Sequence, residues 1–308
     1  MFCLRLILLS VLSIFLGITL IFIGEKKQQT ERVPSSELFQ VVATFYPIAE
    51  FVRQVGGLDI EVTTITPSGY EPHDYEPTAE QIASIYKKAK VFFYNGSGMD
   101  PWASRLALDL EKKGITTVSM SQVIDLLQTE DTSVSDPHFW LDPLFAKREV
   151  ELIRDILSQK DPVHHSDYAK RASRYLAKLD ALNSSYVDGL ISCQKHFVIT
   201  SHEAFGYLAK RYGFEALALT GISSQEEPSA NRLAQLAKLI NEYDIQYIYF
   251  ETLTSPKLSE TLANEVGAKT LVFNPLEGLT LEEAILGKNY ITIMQENLEH
   301  LKIGLVCP

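Results

Sequence analysis

Four residues sit in loops from which they could together hold a metal ion. His73 lies in Glu71-Pro72-His73-Asp74-Tyr75-Glu76-Pro77 and His138 in Asp136-Pro137-His138-Phe139-Trp140-Leu141-Asp142-Pro143. His202 lies in Thr200-Ser201-His202-Glu203 and Glu277 in Asn274-Pro275-Leu276-Glu277-Gly278. Three imidazoles and one carboxylate form a borderline-soft to hard donor set that suits tetrahedral Zn²⁺. Their spacings of 65, 64 and 75 residues match no local signature such as a zinc finger. The fold itself would have to assemble the site. The same loops carry Asp74, Asp136, Asp142 and Glu203, which could stand behind the ligating rings and fix their tautomers. Glu251, in Tyr249-Phe250-Glu251, is a reserve ligand.

The elements that must position these residues form a repeated rhythm. Short runs rich in Val, Ile, Tyr and Phe predict strands at Gln40–Phe45, Ile60–Thr66, Lys90–Tyr94 and Ile115–Ser119. A second set follows at His196–Thr200, Glu215–Leu219, Gln246–Phe250 and Lys269–Phe273. Helices are expected between them over 47–55, 78–89, 102–113, 203–212, 229–243 and 255–266. This alternation implies right-handed βαβ units and hence an α/β protein of two lobes, each with a four-stranded parallel sheet flanked by helices. Tyr168, Ala172, Tyr175, Leu179, Leu182, Tyr186 and Leu190 recur every three or four residues. They predict one long connecting helix over about Val163–Ser192, roughly 45 Å long. All four candidate ligands follow carboxyl ends of strands, where open α/β sheets bind ligands. Two facing lobes would bring His73 and His138 against His202 and Glu277 in a cleft.

The chain of 308 residues is read as residues 1–25, a polar linker at 26–38, an N-terminal lobe at 39–161, the connecting helix at 162–193 and a C-terminal lobe at 194–308. Leu6–Gly24 holds 19 residues without a charge, long for a signal-peptide core and long enough to span a bilayer. Residues 1–25 are therefore expected to be a signal peptide or an N-terminal membrane anchor. The protein is expected to be exported, either periplasmic or anchored to the outer face of the cytoplasmic membrane. Cys3 precedes the apolar run and cannot be a lipid-bearing cysteine that follows a cleaved signal. Cys193 and Cys307 would lie in an oxidising compartment, as a disulfide or as two separate buried thiols. Nucleic-acid binding needs a basic footprint, which a chain of net charge −11 lacks. Asn95-Gly96-Ser97-Gly98 is followed by no Gly-Lys-Ser/Thr, so it reads as a tight turn that places Trp102 near the cleft. His164, His165, His196 and His300 read as structural.

The words around these residues resemble the zinc- and manganese-binding solute receptors of bacterial ABC transporters, the cluster A-I family. They are Thr44-Phe45-Tyr46-Pro47, the Pro72–Pro77 loop, Tyr94–Trp102, His138–Pro143, His202–Gly213 and Asn274–Gly278, in that order along the chain. The resemblance implies two α/β lobes joined by one long helix, with the metal held between them. It makes His73 and His138 ligands from the first lobe, and His202 and Glu277 ligands from the second. The fourth position varies in the family, where a water can replace the protein ligand. Manganese-type members typically carry glutamate third and aspartate fourth, so His202 resembles the zinc-type branch. Many zinc-type members carry a long His-rich acidic loop between the first two ligands. Here Ser119–Asp136 is short and lacks histidine, though it holds Asp125, Glu130 and Asp131. The resemblance implies a monomeric binding protein, not an enzyme. It would capture Zn²⁺, with Mn²⁺ or Fe²⁺ as alternatives, and pass it to a membrane permease driven by a cytoplasmic ATPase. Readings of another class are a zinc-dependent hydrolase with Glu203 or Glu71 as general base, and a surface adhesin.

Overall fold

Apolar runs just long enough to cross a small sheet set the architecture. In the computed structural model, which describes residues 38–129 and 135–308, β1 (Phe39–Ala43), β2 (Ile60–Thr64), β3 (Val91–Tyr94) and β4 (Thr116–Ser119) pair in parallel in the order β2-β1-β3-β4. The second set, β5 (Phe197–Thr200), β6 (Glu215–Ala218), β7 (Tyr247–Phe250) and β8 (Lys269–Val272), repeats it as β6-β5-β7-β8. In each sheet the order reverses beside the first strand, which opens a crevice at the carboxyl ends. The expected signal or anchor segment and nearly all of the linker lie outside the described residues. Among the described residues no helix is long and apolar enough to cross a membrane.

The strands are slightly shorter than their apolar runs because the last residues have other partners. Thr44, its backbone still bonded to Phe93 and Thr66, donates its hydroxyl to Asp100 Oδ2 (2.6 Å), and Phe45 becomes the N-cap of α1 (Tyr46–Gly56), with Pro47 in the first turn. α2 (Ala79–Lys88) starts from a capping box between Thr78 and Gln81. α3 (Pro101–Lys112) starts with proline. Trp102 does not face the cleft. Gly96 and Gly98 take left-handed φ angles of 88° and 100°, and the Asp100 carboxylate accepts from the Asn95 and Gly96 amides. That tight turn rolls the first turn of α3 onto the outer face of the sheet, where Trp102 packs against Phe92.

Three helices, over Pro143–Lys160, Leu281–Ile285 and Tyr290–Gly304, have no counterpart among the ranges expected from sequence. α4 (Pro143–Lys160) is N-capped by Asp142 and buries a stripe of Ala146, Val150, Ile153 and Leu157. Charged residues crowd around this stripe, so the apolar signal is thin. After the short turn Pro162–His164, the chain reverses into α5 (His165–Leu190), a single helix of 26 residues, about 39 Å long. Asn183-Ser184-Ser185 does not break it. The Ser184 and Ser185 hydroxyls bond back to the Asp180 and Ala181 carbonyls. All seven residues of its expected apolar stripe are buried. The second lobe adds α6 (Gly206–Tyr212), α7 (Ala230–Glu242), α8 (Lys257–Val266), α9 (Leu281–Ile285) and α10 (Tyr290–Gly304).

One hydrophobic cluster runs through both lobes without a break. It passes from Val41 and Phe51 through Tyr175 and Tyr186 of α5 to Phe205, Phe273 and Leu301. Polar bonds cross the same seam. Trp140 Nε1 donates to the Pro275 carbonyl (2.8 Å), Tyr290 Oη to the Trp140 carbonyl (2.6 Å) and Tyr186 Oη to the Met294 carbonyl (2.7 Å). The lobes therefore cannot swing apart without exposing a core.

A disulfide joins Cys193, just past α5, to Cys307, across a sequence separation of 114 residues. It ties the end of the connecting helix to the chain terminus. Replacing both cysteines by serine should lower stability by about 2–4 kcal/mol, read as a lower denaturant midpoint with little change in slope. An unchanged midpoint would show that the bridge contributes nothing to the folded state.

Candidate metal centre

The backbone presents each candidate ligand just beyond a strand or at a helix entrance. His202 lies two residues past β5, and His138 opens the Phe139–Leu141 turn that leads into α4. Glu277 follows Leu276, whose φ of 58° is unusual for a side-chain-bearing residue. The Asn274 side chain accepts from the Leu276 amide (2.8 Å), and Trp140 holds the Pro275 carbonyl from the other lobe. These two bonds hold the strained turn that aims Glu277 inward. Neither the strain nor Trp140's role has a sequence signal beyond the Asn-Pro turn.

His73, His138, His202 and Glu277 converge, one from each loop, with their ligand atoms all within 4.8 Å of one another. His138 Nε2 lies 3.1 Å from His73 Nε2, 3.3 Å from His202 Nε2 and 3.2 Å from Glu277 Oε1. Glu277 Oε1 is also 3.0 Å from His202 Nε2 and 3.4 Å from His73 Nε2. The edge of a tetrahedron is about 1.63 times its centre-to-corner distance. Metal–ligand bonds of about 2.0–2.1 Å therefore require edges of about 3.3–3.4 Å. Five of the six edges fall close to that value, so the pocket has the size of a tetrahedral zinc shell.

Carboxylates stand behind two of the rings. Asp136 Oδ1 is 2.8 Å from His138 Nδ1, and Glu251 Oε1 is 2.6 Å from His202 Nδ1. With a proton on each Nδ1, both Nε2 lone pairs point at the centre. Glu251 thus lies behind a ligand position and not within the cluster. Asp74 is exposed and outside the cluster. Asp142 caps α4 and pairs with Arg211 of α6 (Oδ2 to Nε 2.8 Å), which joins the lobes and orients no imidazole. Glu203 lines a separate cavity of about 310 Å³ beside Glu226 and Arg232.

A cross-lobe clasp covers the His73 side. Glu71 accepts from the His73 amide (2.9 Å) with one oxygen and from the Ser224 hydroxyl of the second lobe with the other. The Gly69 amide donates to the Leu279 carbonyl (2.8 Å) beside it. Ser224 could not be found from sequence, because nothing local marks its partner.

The charges in the cluster hold one another. Burial would lower the His202 pKa, but Glu251 and Glu277 outweigh it and hold the ring well above its ordinary value. His138 is raised in the same way, by Asp136 and Glu277 against burial. Burial would raise Glu277, yet His202, His138 and His73 hold it well below the usual carboxylate range. Burial and the Glu277 charge push Glu71 up. Without a metal, the His202 proton contributes stability that is full below the ring's unfolded pKa of about 6.5 and is lost as pH rises through its folded value. The Glu277 contribution is full above about 4.3 and is lost as pH falls through its depressed folded value.

Two doubly wound lobes packed on one long helix bring three histidines and a glutamate together where the lobes meet. The chain belongs to the family described as zinc-uptake complex component A, periplasmic (ZnuA), whose profile matches residues 41–304. The zinc-binding lipoprotein AdcA of Streptococcus pneumoniae is 40% identical over 275 residues, covering 85% of this chain and 55% of AdcA. This chain thus spans about half the length of that relative. A crystal structure of the Zn(II)-bound ZnuA-like domain of AdcA, solved separately, matches with a TM-score of 0.77 over 87% of this chain and 99% of the domain. The high-affinity zinc uptake system protein ZnuA of Bacillus subtilis is 39% identical over 279 residues, covering 86% of this chain and 87% of that protein. The laminin-binding protein Lmb of Streptococcus agalactiae, described as a bifunctional protein with adhesin and metal transporting activity, is 30% identical. Its TM-score is 0.79 over 87% of this chain and all of the other.

Two measurements test this centre. A metal entering the cluster must displace the His202 proton, so titrating Zn²⁺ into the metal-free protein should release about one proton near neutral pH, and affinity should fall as pH drops towards 5. The heat of binding should then depend on the ionisation enthalpy of the buffer; a buffer-independent heat would contradict the proton's displacement. Glu251→Gln should weaken zinc binding by about 10–100-fold with little change in fold, as read by competition with a chromogenic chelator. Unaltered affinity would remove Glu251 from the support of His202.

Proposed function

We propose that this chain is an exported receptor that captures one Zn²⁺ through His73, His138, His202 and Glu277. It then delivers the ion to a membrane permease driven by a cytoplasmic ATPase. The observation that carries this reading is the set of Nε2 and Oε1 separations of 3.0–3.4 Å, which fit a tetrahedral shell of zinc size. A third imidazole at His202 favours Zn²⁺ over Mn²⁺, which prefers oxygen-rich shells. Four protein ligands close the shell, whereas a catalytic zinc keeps a position open for water or substrate. That supports a receptor over a hydrolase. The N-terminal apolar segment supports export and attachment at the outer face of the cytoplasmic membrane. The core shared by the lobes favours release through movement of the loops around His73 and Ser224 over wide opening of the cleft.

Metal analysis and competition binding on wild type and His202→Glu test the proposal. The wild type should prefer Zn²⁺ over Mn²⁺, and the substitution should narrow the gap by adding an oxygen donor. A wild type that selects Mn²⁺ overturns the zinc assignment, and turnover of a hydrolysable substrate by the zinc-loaded protein overturns the receptor reading.

A further inference from the structure

The pole of the first lobe opposite the metal centre carries a charge unlike the rest of the chain. Because β1 to β4 are parallel, all four begin at this pole. Lys87 and Lys88 end α2, Lys90 precedes β3, Lys112 ends α3 and Lys113 follows it as the C-cap. All five are exposed. Lys87, Lys90 and Lys113 line an open groove of about 730 Å³. Lysine at a helix carboxyl end is favoured by the helix dipole alone, but Lys90 and Lys113 lie beyond the helix ends. On a chain of net charge −11, Lys87, Lys88, Lys90 and Lys113 gather around this groove and form no ion pair among the described residues, whereas Lys112 pairs with Asp109.

The acidic groups of this pole are engaged. Asp59 pairs with Arg171 (2.6 Å), and Asp161 with His164 (2.6 Å) and with the Tyr168 hydroxyl. Asp109 pairs with Lys112 (2.8 Å), Glu111 accepts from Thr117, and Glu61 accepts from Gln40.

Two large aliphatic side chains protrude at the same pole. Leu58, in the turn before β2, is 93% exposed, and Val163, in the turn between α4 and α5, is 86% exposed. The His164–Asp59 contact (3.9 Å) sets these turns side by side, and Arg171 fixes them by bonding the Val55 carbonyl (2.7 Å). The strands between them and the lysines span about 14 Å. The chain also enters the lobe here. Lys90 donates its amide to the Gln40 carbonyl (2.9 Å), beside the start of β1, and the apolar segment Leu6–Gly24 is covalently joined just upstream of that strand.

We infer that this pole is a docking face for an anionic lipid surface, with the lysines over the headgroups and Leu58 and Val163 entering the interface. Basic side chains attract anionic bilayers additively within a Debye length, and apolar residues at the same face add insertion. The metal centre lies at the other ends of the strands, so a docked receptor keeps its cleft turned to the medium for capture. The inference rests on the exported, membrane-attached reading above.

The test uses the unit Leu38–Pro308, which is compact by itself and corresponds to the separately crystallised AdcA domain. Cosedimentation is measured with vesicles of phosphatidylcholine alone or mixed with phosphatidylglycerol, and zinc affinity is measured on the same samples. Binding should require phosphatidylglycerol and weaken with salt. It should fall at least about tenfold when Lys87, Lys88, Lys90 and Lys113 are all changed to glutamine, and should also fall in Leu58→Ser/Val163→Ser, with zinc affinity unchanged in both variants. Equal binding to the two vesicle types, no binding, or no effect of the lysine changes overturns the inference. Inorganic polyphosphate bound as tightly as vesicles, with the Leu58 and Val163 changes silent, would mark a site for a soluble polyanion and overturn it as well. Because zinc affinity is read in parallel, a wild type that binds zinc but no vesicles sinks this inference alone.

Discussion

His138 and His202 are fully buried and Glu277 is 1% exposed, and they face one another at hydrogen-bond distances. Isolated ionised groups do not survive such burial; they must be paired or they neutralise. Here the pairing comes from the cluster itself. Glu277 is held ionised by the rings around it, and His202 is held protonated by Glu277 and Glu251. The same groups lie 3.0–3.4 Å apart, close to the edges of a tetrahedral zinc shell.

Holding buried charges at these distances takes packing from both lobes. The hydrophobic cluster through α4, α5 and α10 belongs to neither lobe alone. Trp140 shows how the frame reaches the site. Its indole fixes the Pro275 carbonyl two residues before Glu277, while its own carbonyl is fixed by Tyr290 and its ring packs beside His138. One side chain thus links a ligand of each lobe. The loop from Gly69 to His73 meets the second lobe through the Glu71–Ser224 bond, the Gly69 amide on the Leu279 carbonyl and the approach of His73 to Glu277.

The strand–helix rhythm was legible because short runs such as Val91–Tyr94 and Phe197–Thr200 alternate with amphipathic segments, and parallel sheets follow from that alternation. The four converging residues were legible because strand ends of a parallel sheet share one pole. The length of α5 was legible from its stripe of Tyr and Leu, each of which is buried. α4 was not, because its buried stripe is narrow and includes Glu149, which a pattern search counts as polar. The orientation of Trp102 was misjudged because an aromatic after a glycine turn can face either side of a sheet. Here Asp100, bonded to Thr44 of the adjacent strand, decides. Ser224 and the Arg211–Asp142 pair depend on contacts between lobes, which no local pattern encodes.

Parallel topology also separates the chemistry of the two poles. In a βαβ unit the strand's carboxyl end meets the next helix's amino end, where the helix dipole is positive and disfavours a cation. His202 and Glu277 sit on the connections that precede α6 and α9. The carboxylates of Glu277, Asp136 and Glu251 offset what positive potential remains. At the other pole the helices end, and their partial negative charge draws lysine. That preference accounts for Lys88 and Lys112 at the ends of α2 and α3, but not for Lys90 and Lys113 beyond them or for the bare Leu58 and Val163 nearby.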